Sequence, residues 1–359
     1  MNLTFFEKSR ILITGASGSV GSKLVSYLLS EKNFSLEIVA IDNNEASLFE
    51  LEQRHSSDNR LSIYLADIRD QDALDDLFVG VDYVFHCAAL KHVGFCERLP
   101  DQAIQTNIVG TKNVIKSSTK NGVKRVIFTS SDKAVNPTNV MGTSKLMGER
   151  LISAANVSST GTIFGSTRFG NVLGSSGSVV PIFKRQISMN GPVTVTDKKM
   201  TRFVMSADEA VKLVVQSIIE LRGGEIFVTK MPVIRIDVLA DALIELLQPV
   251  FKYKKSQISK LYIGTKPGEK LYEELMSEEE TARSIELRKF FVVQPFFGNK
   301  ENFDPFDYAE IINAQVDNPY NSSNETPLNF VATKKLIEQY NLLGVKMSYN
   351  HRRIWPGDH

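Results

Sequence analysis

Several residues that can exchange protons follow one short apolar segment in the middle of the chain. Residues 125–129 are predicted to form a buried parallel strand, and α/β proteins place their chemistry at the ends of such strands. Ser131, Asp132 and Lys133 come directly after this segment, and Lys145 follows on a helix predicted over residues 143–155. An acid, a base and a second cation should therefore meet at one strand end, which predicts a site for proton transfer.

Glycines near the N-terminus predict a dinucleotide-binding loop. The apolar segment 10–13 precedes them, and apolar residues at helical spacing follow them. In such a strand–loop–helix unit the glycines let the backbone turn sharply and approach a pyrophosphate, while the helix N-terminus offers free N–H groups. Dinucleotide binding is favoured over a merely tight turn. The expected loop contacts are Gly15, Ser17, Gly18, Ser19, Val20 and Gly21.

Asp42 ends the second predicted strand, residues 37–41. At this position a carboxylate can accept hydrogen bonds from the adenosine ribose. Asn43 and Asn44 follow, with no adjacent cation to receive a 2′-phosphate. NAD is therefore favoured as cofactor, and NADP stays possible. Asp42 could also cap the helix that begins near Glu45.

The ends of the next two predicted strands, residues 61–65 and 83–86, supply the remaining cofactor positions. Asp67 and Ile68 are expected to lie beside the adenine. Ala88 and Ala89 are small enough to leave room for the ribose and nicotinamide. Further contacts are expected from Lys91, which could touch cofactor or substrate, and from Asn107.

Asn107 lies on the apolar side of a long helix predicted over residues 100–121. A buried asparagine needs hydrogen-bond partners. It either braces the strand ends or holds a water or the active-site lysine. His92, by contrast, is interpreted as a structural histidine, because no second histidine or carboxylate cluster accompanies it.

Strands and helices alternate as far as residue 169, which predicts an α/β fold with a Rossmann-type doubly wound parallel sheet and a smaller C-terminal substrate-binding α/β domain. The cofactor domain is assigned residues 1–170, with elements from about 205–230 returning to it. The substrate domain is assigned 171–204 and 231–300, and the irregular segment 301–359 a lid or oligomer contact. No comparable series of sheet strands is expected after the helix at 239–247.

The overall composition excludes several classes of protein. The 42 basic side chains balance 41 acidic ones, which argues against a nucleic-acid or anionic-membrane surface as the main partner. Two cysteines, Cys87 and Cys96, suggest neither a disulfide framework nor a thiolate metal site, so no metal is expected. Without a long apolar stretch or a signal-peptide core, a cytoplasmic protein with no membrane insertion is predicted. The acidic run 273–280 is interpreted as a solvated helix face.

Together these motifs resemble the extended short-chain dehydrogenase/reductase superfamily, and more narrowly its UDP-N-acetylglucosamine 4,6-dehydratases of bacterial glycan synthesis. The resemblance covers about residues 8–280, and the final eighty or so residues match only loosely. The strings that carry it are the glycine loop at 14–21, Asp-Ile-Arg-Asp at 67–70, residues 88–93, 130–137 and 168–172, and supporting matches at 191–196, 201–203 and 267–271.

The resemblance implies an internal redox reaction on a UDP-sugar. C4 is oxidised by a bound nicotinamide, the acidified C5 proton and the C6 hydroxyl leave, and hydride returns to C6. Lys133 would take the C5 proton if its neighbours lower its pKa, and Asp132, held protonated, would assist departure of the hydroxyl. Lys145 would bind the nicotinamide ribose. A homo-oligomer, dimer or higher, is expected, with substrate contacts from Lys91, Ser131, Asn171, Val180 and Arg202.

Met141 departs from the commonest pattern of the superfamily, in which a tyrosine at this position assists removal of the C4 hydroxyl proton. A thioether cannot act as acid or base. The proton acceptor is left open among Lys133, Asp132, Ser131 and an ordered water, with Ser131 or water favoured. Two other functions remain open: a UDP-sugar 4-epimerase, and a non-enzymatic NAD-binding regulator.

Overall fold

The computed structural model describes residues 3–32, 34–175, 177–251, 258–265, 268–295, 308 and 310–344. The strands are β1 Arg10–Thr14, β2 Glu37–Asp42, β3 Leu61–Leu65, β4 Tyr83–His86, β5 Arg125–Ser131, β6 Ile163–Phe169, β7 Asn171–Val172, β8 Val193–Val195, β9 Thr201–Met205, β10 Ile226–Thr229, β11 Val233–Arg235, β12 Lys260–Tyr262, β13 Glu274–Met276, β14 Ser284–Leu287, β15 Phe290–Val293, β16 Ile311–Asn313 and β17 Tyr320–Asn321.

The helices alternate with these strands over the first two thirds of the chain. They are α1 Gly21–Leu29, α2 Glu45–His55, α3 Gln71–Leu77, α4 Val93–Arg98, α5 Pro100–Ala103, α6 Thr111–Lys120, α7 Val140–Ser158, α8 Val179–Ser188, α9 Ala207–Glu220, α10 Ile236–Leu247, α11 Glu278–Thr281 and α12 Phe330–Gln339. A π-helical segment, Ile104–Gly110, joins α5 to α6, and 3-10 turns span Leu3–Phe6 and Asp132–Ala134.

A ten-stranded sheet forms the centre of the molecule. Strands β3-β2-β1-β4-β5-β6-β10 are parallel in that order. The order reverses between β1 and β4, and in doubly wound sheets a ligand binds at such a switch point, outside the carboxyl ends of the strands. The predicted α/β fold with a Rossmann-like parallel sheet and a smaller C-terminal region is confirmed.

Apolar side chains cover both faces of the sheet. On one face α1 and α9 pack on the central strands through residues such as Leu24 and Val214, and on the other α3, α6 and α7 pack through residues such as Val114 and Ile152. All four of these side chains are fully or almost fully buried. Parallel strands covered on both faces become near-continuous apolar segments, which is why the sequence predicted them well.

The prediction that no series of sheet strands follows α10 was wrong. Strands β15, β14 and β16 extend the main sheet by antiparallel pairing, although they lie in the ranges assigned to the substrate domain and the lid. These strands have only three or four residues, too few to show a period. The assignment of 301–359 falls partly on residues 301–307, 309 and 345–359, which lie outside the described residues.

A second apolar core lies in the smaller C-terminal region. It joins α8, α10 and α12 through residues that include Phe183, Leu243 and Ile337. Small sheets β11-β9-β7, β12-β8 and β13-β17 accompany it. The division of the chain into a cofactor domain and a substrate domain stays a proposal.

Candidate active site

The end of β5 gathers the residues that the sequence analysis singled out. Ser131 caps the 3-10 turn: its Oγ accepts a hydrogen bond from Lys133 N at 3.3 Å and donates one to Asp132 Oδ1 at 2.7 Å. Lys133 Nζ donates to the same Asp132 oxygen at 3.0 Å. The Asp132 side chain is only 1% exposed. The turn therefore holds a buried carboxylate and an ammonium group in direct contact.

Glu273, which sequence reasoning did not connect to this cluster, completes it. Its Oε1 lies 3.2 Å from Lys133 Nζ, and its side chain is 3% exposed. Arg202 Nε approaches the same oxygen at 3.5 Å. Glu273 lies in the loop before β13, more than a hundred residues from Lys133 along the chain. No local pattern could have linked the two.

The interpretation of residues 273–280 as a solvated helix face was therefore wrong. Glu273 and Glu280 are buried, and only Glu278–Thr281 is helical. Glu280 binds Arg168, which also donates to Glu149 at 2.7 and 2.6 Å. Charged groups are buried only when paired, and these partners come from three separate elements, α7, β6 and α11. Arg168 itself is 1% exposed within this network.

The electrostatics of the cluster differ from the expectation for a lysine base. Burial, the largest influence, lowers the pKa of Lys133, but the negative charges of Asp132 and Glu273 outweigh it, so that its pKa is raised overall. Burial has the opposite effect on the carboxylate of Glu273, whose pKa it raises. The neighbours of Lys133 thus favour its charged form in the resting site, whereas the sequence analysis required them to lower its pKa.

Several buried polar atoms around this cluster have no hydrogen-bond partner among the described residues. Buried polar atoms are almost always hydrogen-bonded in folded proteins, so these atoms are free to contact a ligand or an ordered water. They are Ser130 Oγ, Asp132 Oδ2, Asn171 Oδ1 and Glu273 Oε2.

Lys145 lies on α7 close to the same strand end. Its Nζ donates a hydrogen bond to the carbonyl oxygen of Thr129 at 2.8 Å and lies 4.5 Å above the Phe128 ring. Burial lowers the pKa of Lys145 to about 8. The side chain is therefore fixed against β5, and its ammonium group can lose a proton more easily than that of an exposed lysine.

Asn107 braces the strand ends, which was one of the two roles considered for it. It accepts a hydrogen bond from Leu90 N at 2.8 Å and donates to Leu90 O at 3.0 Å and to Ser144 Oγ at 2.8 Å. The π-helical segment that contains Asn107 thus ties the loop after β4 to the first turns of α7.

Met141 occupies the first turn of α7, which begins three residues earlier than predicted because Asn139 caps it. The Asn139 side chain accepts a hydrogen bond from Gly142 N at 2.8 Å. Met141 is 4% exposed and packs with Cys96 and Ala103 in a small apolar cluster. Its contacts are those of a core side chain.

The glycine loop has the close packing that a dinucleotide site requires. Gly15 has a φ of +66°, and a Cβ there would lie 2.6 Å from Ala88 N. A Cβ on Gly21 would collide with the carbonyl oxygen of Gly15. Ser17 N donates to Asp42 Oδ2 at 3.0 Å, so the loop and the carboxylate after β2 are joined. Val20 stands at the N-terminus of α1, beside Ser19.

Asp42 does not cap α2, because Asn44 does so by accepting a hydrogen bond from Ser47 N. Asn43 Nδ2 instead donates to Asp67 Oδ2 at 3.2 Å, and Arg69 binds the same Asp67 oxygen at 2.6 Å. The fold therefore places a cation, Arg69, near Asn43, although no cation is adjacent to Asn43 in the sequence. The Arg69 hydrogen bonds, the largest influence, lower the pKa of Asp67 to about 2.

Two predicted substrate contacts, Val180 and Arg202, are buried. Val180 is 1% exposed and belongs to the second apolar core, because it lies in the first turn of α8, which begins at Val179. Arg202 is 6% exposed and donates to the backbone carbonyls of Thr201, Lys270 and Leu271. Lys91 is at the surface, and Ile68 packs against Gly110. Pro267, in one of the matched motifs, lies outside the described residues.

Comparison with known proteins identifies the family. The model of a family described as "Polysaccharide biosynthesis protein" matches residues 11–295. This chain belongs to the polysaccharide biosynthesis protein family. The expected membership of the extended short-chain dehydrogenase/reductase group is thereby confirmed. The narrower assignment to one enzyme stays a proposal.

Relatives of this polysaccharide biosynthesis protein carry different names. A Methanocaldococcus jannaschii protein named as an uncharacterized membrane protein is 44% identical over 94% of this chain and 98% of its own length. A UDP-glucose 4-epimerase of Rickettsia bellii is 39% identical over 92% of this chain and 96% of its own. Within the part of the chain that the structure describes, no helix has the length and apolar character needed to cross a bilayer.

Solved structures share the architecture. Pen from Bacillus thuringiensis is 36% identical, with a TM-score of 0.85 over 93% of this polysaccharide biosynthesis protein and 98% of Pen. A dTDP-glucose 4,6-dehydratase from Streptomyces venezuelae, solved with NAD bound, is 23% identical, with a TM-score of 0.63 over 73% of this chain and 86% of its own. The second likeness concerns the fold alone.

Proposed function

We propose that this protein is a UDP-sugar 4,6-dehydratase that acts on UDP-N-acetylglucosamine and gives a UDP-2-acetamido-2,6-dideoxy-4-hexulose for surface-glycan synthesis. The observation that carries the proposal is the buried contact between Asp132 and Lys133 at the end of β5. Elimination of water needs a base for one proton and an acid for the departing hydroxyl, on neighbouring atoms of one substrate. Adjacent residues on a fixed turn meet that need.

NAD is the cofactor that the glycine loop fits. Gly15 and Gly21 let the loop pack closely, because a Cβ at either position would collide with backbone atoms, and α1 begins directly after the loop, where its N-terminal N–H groups suit a pyrophosphate. Asp42 is suited to the adenosine ribose, and NAD is favoured over NADP because Arg69 is already paired with Asp67. When bound, NAD would accept a hydride from sugar C4 and return it to C6. Lys145 would hold the nicotinamide ribose.

The side chains of the β5 turn divide the proton transfers of the elimination. Lys133 removes the C5 proton, which the C4 carbonyl has acidified, and the resulting electron pair expels the C6 hydroxyl. Asp132 gains a proton from Ser131 Oγ when Ser131 takes up the C4 hydroxyl proton during the oxidation, and it then delivers this proton to turn the C6 hydroxyl into water. Ser131 Oγ, which already donates to Asp132, is the favoured acceptor of the C4 hydroxyl proton, directly or through a water that relays it to the lysines.

The test is to incubate the protein with UDP-N-acetylglucosamine in deuterated water. Mass spectrometry should show loss of one water, and proton NMR should show solvent deuterium at C5 and the configuration of that centre. Lys133→Ala should abolish formation of the 4-keto sugar while NAD still binds. Dehydration by this variant at the wild-type rate would mean that Lys133 is not the base.

A UDP-sugar 4-epimerase is the second candidate, because relatives from Rickettsia at 37 to 39% identity carry that name. Epimerisation at C4 needs no acid and base for elimination, and its product keeps the mass of the substrate. An isomer of unchanged mass as the only product would therefore favour this alternative. A non-enzymatic NAD-binding regulator would give neither product.

A further inference from the structure

The ammonium group of Lys133 is shared between two buried carboxylates from distant parts of the chain. Its Nζ lies 3.0 Å from Asp132 Oδ1 and 3.2 Å from Glu273 Oε1. The other oxygen of each carboxylate, Asp132 Oδ2 and Glu273 Oε2, is buried without a partner among the described residues. The proposed function uses Asp132 and leaves Glu273 without a role.

This arrangement raises a problem for the proposed base, and the inference that follows rests on the proposed function. Lys133 can take the C5 proton only as a neutral amine, yet two adjacent negative charges favour its ammonium form. Its own proton must therefore leave before the substrate proton arrives. Because the Lys133 side chain is only 23% exposed, an acceptor within the protein is better placed than bulk water.

Glu273 is the better of the two acceptors. Asp132 Oδ1 already accepts hydrogen bonds from both Ser131 Oγ and Lys133 Nζ. The donors of Arg202 are directed at backbone carbonyls, and its Nε stays 3.5 Å from Glu273. Burial raises the pKa of Glu273, which favours its neutral, protonated form.

The backbone around Glu273 is fixed from two other segments. Glu273 N donates to Ser322 Oγ at 3.0 Å, and Ser322 N donates to Glu273 O at 2.9 Å. The Ser322 hydroxyl also lies 2.9 Å from Thr201 Oγ1. These hydrogen bonds fix the backbone from which the Glu273 side chain extends. A pre-organised proton acceptor requires such support.

We propose that Glu273 accepts the ammonium proton of Lys133 and so converts Lys133 into the amine that removes the C5 proton. The N–H bond of Nζ breaks with its electrons left on nitrogen, and an O–H bond forms on the Glu273 carboxylate. An ion pair becomes a neutral pair, with no other bond changed. A sugar bound over the site expels water, and the loss of water favours the neutral pair over the ion pair. Glu273 acts through Lys133 and is a positioning residue.

The first experiment compares three variants in formation of the 4-keto sugar across pH. Glu273→Gln should lower the rate about 100-fold or more, as loss of a proton-transfer group does. Its residual rate should rise about tenfold per pH unit, because the ammonium proton must now leave to solvent. Glu273→Asp, which keeps the carboxylate, should recover much of the rate and the wild-type pH profile.

Glu274→Gln is the matched control. The Glu274 carboxylate, on the next residue, binds Lys270 at 3.1 Å and accepts a hydrogen bond from Asn136 at 3.3 Å. The same substitution there should leave the rate and its pH profile close to those of the wild type. A Glu273→Gln variant within threefold of the wild-type rate would overturn the proposed proton transfer.

The second experiment does not depend on turnover. The 13Cε resonance of Lys133, assigned by comparison with Lys133→Met, is followed across pH in the resting protein. Glu273→Gln should lower the pKa of Lys133, because it removes a neighbouring negative charge. An unchanged titration would overturn the pairing. If the titration shifts but the wild type releases no water from UDP-N-acetylglucosamine, the pairing stands and the dehydratase proposal fails.

Discussion

Arg168 of β6 donates two hydrogen bonds to Glu149 of α7, one turn beyond Lys145, with distances of 2.7 and 2.6 Å. It also donates to both carboxylate oxygens of Glu280 at 2.8 Å. One guanidinium therefore joins the sheet, the helix that carries Lys145 and the segment that carries Glu273. Arg168 thus links the element that carries Lys145 to the segment that carries Glu273.

We expect Arg168→Gln to destabilise the protein strongly, because it leaves two buried carboxylates without their cation. Removing one member of a buried ion pair typically costs about 3–5 kcal/mol. The matched control is Arg288→Gln, since Arg288 is 73% exposed and lies 3.9 Å from Glu310, where such a pair contributes about 0–1 kcal/mol. Chemical denaturation measures the free energy of unfolding of both variants, and an equal decrease in the two would contradict a structural role for Arg168.

Lys145 should make stability depend on pH in the alkaline range. Its pKa of about 8 in the folded state lies below the value of about 10.4 in an unfolded chain. Between these values the unfolded state binds more protons, so the free energy of unfolding should rise with pH. Below about pH 8 the penalty for the buried charge is fully present, on the order of 3 kcal/mol.

The measurement compares urea unfolding of the nucleotide-free wild type with Lys145→Met from pH 7 to 10.5. The difference between the two curves isolates the lysine from other titrating groups. At pH 7 the variant should have a higher free energy of unfolding than the wild type, and this difference should shrink as pH rises. Parallel curves would mean that the folded-state pKa of Lys145 is not lowered.

Gly15→Ala should abolish dinucleotide binding, because the added Cβ would lie 2.6 Å from Ala88 N and must displace the loop after β4. Gly122→Ala is a close control: Gly122 has a φ of +68°, near the +66° of Gly15, but no atom lies within 4 Å of its Cβ position. The control should lose only about 1 kcal/mol of stability through backbone strain. Calorimetric titration with NAD distinguishes the two, and normal binding by Gly15→Ala would contradict the assigned loop.

Met141→Tyr should give an active enzyme with no large gain in rate, because the resting site already has other groups for the C4 hydroxyl proton. Met141→Leu should keep the wild-type rate within a few-fold, since Met141 packs with Cys96 and Ala103 and a volume-conserving apolar change is well tolerated. Steady-state formation of the 4-keto sugar measures both variants. A very large gain in the tyrosine variant would show that Met141 impairs an ancestral mechanism.

The sequence by itself determined the elements whose signals are local. The glycine loop, the parallel strands through β6 and the positions of Asp132, Lys133 and Lys145 could all be predicted, because a covered parallel strand is a continuous apolar segment and loop glycines have fixed spacing.

Only the tertiary structure decided which charges meet. Glu273 reaches Lys133 because β13 pairs with β17 beside the end of β5, and Glu280 reaches Arg168 through the same segment. From the sequence alone both glutamates are predicted to be solvated, because an acidic run gives no sign of cations that lie far away along the chain. Burial and pairing arise from contacts between distant segments, and these also set the pKa of Lys133 opposite to the direction expected for a free-standing base.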